Sequence, residues 1–305
     1  MKAFRIDSDT VDYFRGLDPF DTLDRLAMKG SFVLGSTDSS NISGEDEEEP
    51  TGLMVCTIET DRLVIHWLFV VPEYREMGLG SYLLMLAFEE ADRRNLELVA
   101  ARISDEYGID DPTWDSWGFF VNDIFKVADE EGCVWRTNMK DIAKLLNKES
   151  RLDENAANAQ GLILLKDLSG KDLSDAAEKL NKRFAVSMDR PFEQQIYSAD
   201  PEMSFLKKKK DDYVGAILMR KGINTWYMDT LLTEDEVDEE TLFRAVLYYS
   251  EDYIKVGDRI EIEVKSPSVE DLLDEIKMPG ARYTVNYLTA SVSDFRKMKK
   301  NAESE

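Results

Sequence analysis

Short apolar runs, punctuated by glycine, proline and acidic residues, dominate the first hundred residues and read as strands. Lys2 to Ile6, Ser31 to Gly35, Gly52 to Ile58, Leu63 to Val71 and Leu96 to Ile103 are the strand candidates, with Thr60-Asp61 turning the chain into the fourth. Two segments read as helices. Asp18-Pro19 offers an N-cap and a proline in the first helical position for a helix over Phe20 to Met28, ending near Gly30. After Gly80 the period becomes helical, and Leu83, Leu84, Ala87, Phe88 and Ala91 fall on one face.

The same order returns in the second half: a strand over Leu162 to Lys166, a helix over Leu173 to Lys182, then a hairpin. Gly52-Leu53-Met54-Val55 resembles Gly215-Ala216-Ile217-Leu218. At the same offset Leu63 to Leu68 faces Trp226 to Leu231, and Leu98 to Arg102 faces Glu261 to Lys265, a register expected to hold without a gap. The polar stretch Asn147 to Asn158 is the expected junction, which divides the chain into domains 1–147 and 158–305. The four-lysine run Lys207 to Lys210, ahead of the strand Val214 to Met219, is expected to blunt an exposed sheet edge.

The fourth strand runs into Pro72-Glu73-Tyr74-Arg75-Glu76-Met77-Gly78-Leu79-Gly80, and a helix starts at once. Glycines lack Cβ atoms, so backbone N–H groups can approach a ligand closely. The helix adds unpaired N–H groups and the positive end of its dipole, and the whole suits a pyrophosphate. The second half has Thr233 to Glu240 at this point, without glycine, rich in carboxylates, and with Asp238 where Arg75 stands.

Leu68, Val70, Pro72, Arg75, Gly78 and Gly80 match, without a gap, the acetyl-coenzyme A loop of the GNAT acyltransferase family, which this stretch resembles. The resemblance implies an α/β (α+β) fold of two tandem GNAT-like domains. Each is a mixed, mostly antiparallel sheet flanked by helices, the second degenerate and without the pyrophosphate loop. It implies acetyl-CoA as co-substrate, held by Leu68, Phe69, Val70, Val71, Arg75, Glu76, Met77, Gly78, Leu79, Gly80, Ser81 and Tyr82. Gly80→Glu is then expected to abolish acetyl-CoA binding by bulk and charge.

The activity implied is acetyl transfer to a primary amine by direct attack. An alkyl amine has a pKa near ~10.4, so the site must remove a proton. His66, the single histidine, lies on the fourth strand, and alternation puts Val64, His66 and Leu68 on one face. It is the candidate base or water relay, against a histidine satisfied beside the core. Trp67 and Phe69 face the other way and read as core, and Glu73 and Tyr74 as solvated loop. The family's general acid is a tyrosine four residues before Gly-Phe. Here Gly118-Phe119 fit but Trp114 replaces the tyrosine, and Tyr107 is the candidate substitute. Phe14, Phe20 and the Gly16-Leu17-Asp18 turn lie where the family often builds its acceptor pocket.

Composition narrows the setting. The 305 residues are 43% hydrophobic, which supports packed domains. No run is long enough to span a membrane, and Met1 to Asp7 carries no apolar leader, so the expectation is cytoplasmic. A net charge of -24 excludes nucleic acid and anionic membrane as partners and is compatible with a cationic amine acceptor, small molecule or peptide. Glu45 to Glu49 read as solvated loop. Cys56 and Cys133 lack metal-ligand spacing, and no metal is expected. Edge strands in both halves allow a homodimer without specifying one. The competing reading is a non-catalytic acetyl-CoA- or CoA-binding regulatory protein, favoured by Trp114.

Overall fold

In the computed structural model, which describes residues 2–38, 48–59, 61–104, 119–120, 124–146, 161–184, 192–264 and 267–302, the apolar runs of the first half form β1 (Lys2–Ile6), β2 (Ser31–Asp38), β3 (Glu49–Ile58), β4 (Arg62–Val70) and β5 (Leu98–Ser104). The helix α1 (Leu79–Arg93) joins β4 to β5. The β1 to β4 neighbours pair antiparallel, and β4 pairs parallel to β5. The expected apolar face of α1 is buried as read: Leu83, Leu84, Ala87, Phe88 and Ala91 pack with Met54, Ile65 and Ala101 of the sheet. A second core on the other face gathers Phe14, Leu23, Val33, Leu53, Val55 and Trp67.

The helix expected over Phe20 to Met28 is instead a 3-10 segment, Thr22–Ala27, preceded by another at Val11–Leu17. Asp21 is left-handed at φ 54° and interrupts the path. Asp18 does not cap a first turn from Pro19. Its carboxylate is buried and accepts from the Thr22 hydroxyl at 2.8 Å and the Leu23 amide at 2.6 Å. Burial pushes its pKa up, against those hydrogen bonds.

The second half supplies β7 (Leu162–Leu164), β8 (Phe205–Lys209), β9 (Asp212–Lys221), β10 (Thr225–Thr233) and β11 (Arg259–Val264), with the helices Gly170–Phe184, Phe192–Ser198 and Glu236–Tyr253 between them. β7 to β10 neighbours pair antiparallel, and β10 pairs parallel to β11. The expected repeat is visible in the ladders. β4 carries an extra residue against β3, at His66, where Trp67 faces Val55 but Ile65 faces Cys56. β10 carries one against β9 at the equivalent Asp229, between Met228 and Thr230. Both are β-bulges. In both halves the parallel pairing stops just before the bulge, at Ile65 with Ala101 and at Met228 with Ile262.

The gapless register fails at the fifth strand. Arg62 pairs with Leu98 and its equivalent Thr225 with Arg259, so β11 arrives two residues early. The strand-to-helix connection of the second half is shorter by more than this, and its longer helix and following link return the rest. The four-lysine run is not on an edge either: β8 lies between β7 and β9, and Lys207 is buried with its ammonium 3.7 Å from Asp238.

The chain separates into two compact units, and the division is not linear. One holds Met1–Glu131 with Thr284–Glu305, the other Gly132–Tyr283. The expected split at 147 and 158 misses this because the sixth strand of each half is exchanged. β6 (Lys126–Asn138) pairs antiparallel with β11 through Cys133–Asn138, and β12 (Ala281–Ser291) pairs antiparallel with β5 through Val285–Ser291. The first unit's sheet therefore runs β1-β2-β3-β4-β5-β12, and the second's runs β7-β8-β9-β10-β11-β6. Leu288, Ala290 and Val292 complete the core beneath α1, while Trp135, Met139 and Ile142 enter the core of the second unit. The junction 147–158 and residues 45–47 of the acidic stretch lie outside the described residues.

Candidate active site in the first unit

β4 ends at Val70, and eight residues, 71–78, carry the chain to α1. Pro72–Tyr74 make one 3-10 turn. Glu76 at φ 61° and Gly78 at φ 81° are both left-handed and turn the backbone into the helix. A Cβ on Gly78 would meet open space, so it is the backbone conformation that favours glycine there. Gly78 caps α1 with no side-chain hydrogen bond. The first-turn amides, Leu79 to Ser81, have no acceptor within the helix, by its geometry, and face the positive end of the dipole. Met77, Ser81 and Tyr82 are exposed beside them, and Leu79 is buried in the core.

Gly80 is constrained from inside the fold. A Cβ there would lie 3.2 Å from two ring atoms of Phe119 and 3.7 Å from Val70. Packing against Phe119 is thus a reason for glycine at this position beside close approach to a ligand.

Two side chains pin the loop. The Arg75 Nε donates to the Val70 carbonyl at 2.9 Å, and its guanidinium lies over the Phe69 ring at 5.6 Å. The Tyr74 hydroxyl donates to Asp38 at 2.9 Å, an interaction that raises the phenol pKa. Tyr74 is thus half-buried and anchored to the end of β2, not a solvated loop residue.

The strand end has its own donors. The Val71 amide donates to the Thr51 carbonyl at 3.0 Å, which makes Val71, Phe69 and Trp67 the residues that bond to β3. Leu68 and Val70 alternate with them, so their N–H and C=O groups point to the β5 side. Among the described pairs β5 has left the ladder by then, its last contact with β4 being at Ile65. Among the described residues the β4–β5 ladder thus has a gap beside the Leu68 and Val70 backbone groups, ahead of the N-terminus of α1.

His66 sits at the apex of that gap and is buried. The bulge breaks the expected alternation: Leu68 packs under α1 with Leu63 and Ile65, while Trp67 joins the opposite core. Val64, His66 and Leu68 therefore do not share a face. Trp67 is core as read, and its indole N–H donates to the Leu17 carbonyl at 2.8 Å. Phe14 is fully buried and Phe20 packs edge-on against Trp67, so these rings serve the core. Tyr107, Trp114 and Gly118 lie outside the described residues.

The second unit treats the same place differently. Only Glu234 and Asp235 separate β10 from the helix Glu236–Tyr253. Asp235 caps that helix, its carboxylate accepting from the Val237 amide at 2.9 Å, which holds its pKa below the usual range. Asp238 is buried against Lys209 at 2.7 Å and Lys207 at 3.7 Å. Four carboxylates of this stretch are partnered: Glu234 by Arg183, Asp235 and Asp238 by the lysine run, and Glu240 by Arg244. Among the described residues no cluster of side chains suits a metal ion, and no helix is long and apolar enough to cross a membrane.

Residues 5–107 match the model of the acetyltransferase (GNAT) family. No curated protein matches the sequence. Solved structures are similar over nearly the whole chain. A GCN5-related N-acetyltransferase from Sphaerobacter thermophilus is 14% identical, with a TM-score of 0.55 over 92% of this chain and 85% of that one. A tandem GNAT protein from the clavulanic acid biosynthesis pathway is 13% identical, with a TM-score of 0.54 over 95% of this chain and 99% of that one. The Saccharomyces cerevisiae N-myristoyltransferase, solved with bound myristoyl-CoA, is 10% identical, with a TM-score of 0.50 over 95% and 82%. At these identities the likeness is one of fold: two tandem GNAT-like domains.

Proposed function

We propose, from the match of residues 5–107 to the acetyltransferase (GNAT) family model, that the chain is an acetyl-CoA-dependent N-acetyltransferase whose first unit is catalytic and whose acceptor is a primary amine. The observation that carries the assignment to the first unit is the contrast between the two helix N-termini. One is capped by a glycine with no side chain, and the other is filled by Asp235.

The donor set fits a CoA thioester. The Gly78 to Ser81 turn would hold the pyrophosphate by backbone amides, with the Tyr82 side chain exposed beside it. The Leu68 and Val70 edge would align the pantetheine arm along β4, and an amide there would bind the thioester oxygen as charge grows on it. Arg75 is assigned to shaping the loop, since its Nε is already committed to Val70. When bound, the co-substrate supplies an activated acetyl group. The amine forms the new N–C bond, the C–S bond breaks, and the thiolate departs. His66, at the apex of the gap, would take the amine proton directly or through water. Tyr107 is kept as the proposed acid toward the thiolate.

The test is a calorimetric titration with acetyl-CoA of the parent and of Ser81→Glu, followed by turnover against a panel of amines. Ser81 is exposed in the first turn of α1. A carboxylate there favours the helix by about 0.3–1 kcal/mol while repelling phosphate. Binding by the parent, weakened about tenfold or more in the variant, is the expected result, about 1.4 kcal/mol or greater. Equal affinity in both would remove the cradle from the assignment. Binding without turnover of any amine would favour the second reading, a regulatory CoA-binding protein, for which Trp114 in place of the tyrosine is the specific support.

A further inference from the structure

The helix that carries the cradle is held at its far end by the last residues of the chain. β12 pairs with β5 up to Ser291, and the helix Val292–Ala302 follows without a gap. The Val292 amide donates to the Glu97 carbonyl at 3.0 Å, which fixes where that helix begins. Phe295 stacks on Phe88 of α1 with ring centres 4.7 Å apart and planes 15° from parallel. Lys299 pairs with Glu89 at 2.7 Å, and Arg296 pairs with Asp92.

Edge-to-face ring contacts continue toward the cradle. Phe88 meets Phe125 at 5.9 Å, Phe125 meets Phe120 at 5.4 Å, and Phe120 meets Phe119 at 5.1 Å. Phe119 closes against Gly80 in the first turn of α1. A series of rings thus joins the C-terminal helix to the glycine at the other end of α1. All of them belong to the first unit.

We propose that Phe295 is a positioning residue for the cofactor cradle, setting α1 and, through Phe119, its N-terminal turn. The C-terminal helix is then part of the acetyl-CoA-binding apparatus, although it lies beyond the whole second half in sequence. The proposal rests on the cradle reading above for its functional meaning but not for its test.

The experiment is amide hydrogen exchange on the full chain without ligand, comparing the parent with Phe295→Ala, Phe295→Leu and Lys299→Ala. The reporters are Tyr82 to Leu84, whose amides close the first turns of α1, read against Phe32 and Met54 in the central strands. Phe295→Ala is expected to speed exchange at Tyr82 to Leu84 by about tenfold relative to the strand reporters, a local opening rather than a global one. Phe295→Leu should recover most of the protection, and Lys299→Ala should leave it unchanged. Should Phe295→Ala fail to fold, Phe295→Val, which also removes the ring, is compared with Lys299→Ala and should speed exchange at Tyr82 to Leu84 relative to the strand reporters, by a smaller factor. If all reporters speed up together, Phe295 only stabilises the unit and the proposal is overturned. In parallel, the Kd for acetyl-CoA should weaken by roughly three- to tenfold in Phe295→Ala with kcat little changed, as for an interaction lost equally in ground and transition states. A parent that binds no acetyl-CoA would defeat the functional reading and leave the exchange result to decide the positioning role.

Discussion

Gly80→Ala separates two reasons for a glycine in the cradle. If the ligand alone requires it, alanine should harm binding and leave the fold intact. The structure predicts the reverse emphasis, because the new Cβ would lie 3.2 Å from Cε2 and Cζ of Phe119. Carbon atoms settle at about 3.5–4.0 Å, so the ring must yield by a few tenths of an ångström. Phe119 is backed by Phe120 at 5.1 Å, edge to face, and has limited room to retreat. Overpacking of this kind costs about 1–3 kcal/mol. Replacing a helical glycine by alanine returns about 0.5–1 kcal/mol. The net expectation is a destabilisation of about 1 kcal/mol, read as a lower urea midpoint. Phe119→Leu removes the opposing ring, so the double variant should be more stable than the sum of the singles predicts, by about 0.5–1 kcal/mol. Acetyl-CoA affinity, measured by calorimetry on the same proteins, should fall in Gly80→Ala and recover in the pair. The reasoning is refuted if Gly80→Ala keeps its stability, loses affinity, and gains nothing from Phe119→Leu.

Other outcomes follow from the same contacts. His66→Gln should depress turnover most on the acid side of the pH–rate profile, where the acceptor amine is most protonated; a uniform loss at every pH would return His66 to a packing role. Glu90 is tied to Arg93 at 2.7 Å and Arg94 at 2.6 Å. Burial works to raise its pKa, but those hydrogen bonds prevail and leave it below the ordinary value. A depressed carboxyl stabilises the fold above its unfolded pKa and ceases to do so as pH falls through the folded one. Glu90→Gln should therefore cost about 0.5 kcal/mol at neutral pH, and the difference should shrink as pH falls below ~4.3 and vanish once it is below the folded pKa. A difference constant in pH would contradict this. Asp238→Ala leaves the Lys207 ammonium buried with its nearest carboxylate gone and should destabilise by about 3 kcal/mol, whereas Lys207→Met should be near neutral. Equal losses on urea denaturation would show that the pair is not what matters.

Much of the site was legible because it is local. The run from Leu68 to Gly80 contains its own strand, turn and helix start, so these elements were legible in one stretch, and the family resemblance marked them as a candidate site. The missed features depend on partners far along the chain. The bulge at His66 is a one-residue mismatch between β4 and β3, and the alternation of Val64, His66 and Leu68 looks regular in β4 by itself. Lys207 reads as an edge lysine until Asp238 is brought beside it. Asp18 reads as a cap for Pro19, but Asp21 takes a left-handed turn that composition does not demand. The exchange of β6 and β12 was invisible for a deeper reason. Periodicity marks a segment as a strand without naming the strand it joins, and β5 and β11 accept antiparallel partners alike.

That exchange imposes an order on biosynthesis. Residues 1–131 emerge first, yet the neighbour of β5 arrives only with Val285–Ser291. At about 5–20 residues per second, the nascent first unit waits roughly 8–30 s with the Val99 to Ile103 edge open. The interposed residues Gly132–Tyr283 contain all of their own sheet and can close during that interval. An open apolar strand edge is a template for aggregation. The second unit, whose equivalent helix is capped by Asp235, therefore matters to the yield of the first through the time its synthesis takes. A synonymous slowing of translation between 132 and 283 would lengthen the exposure of β5 without altering one residue of the finished protein.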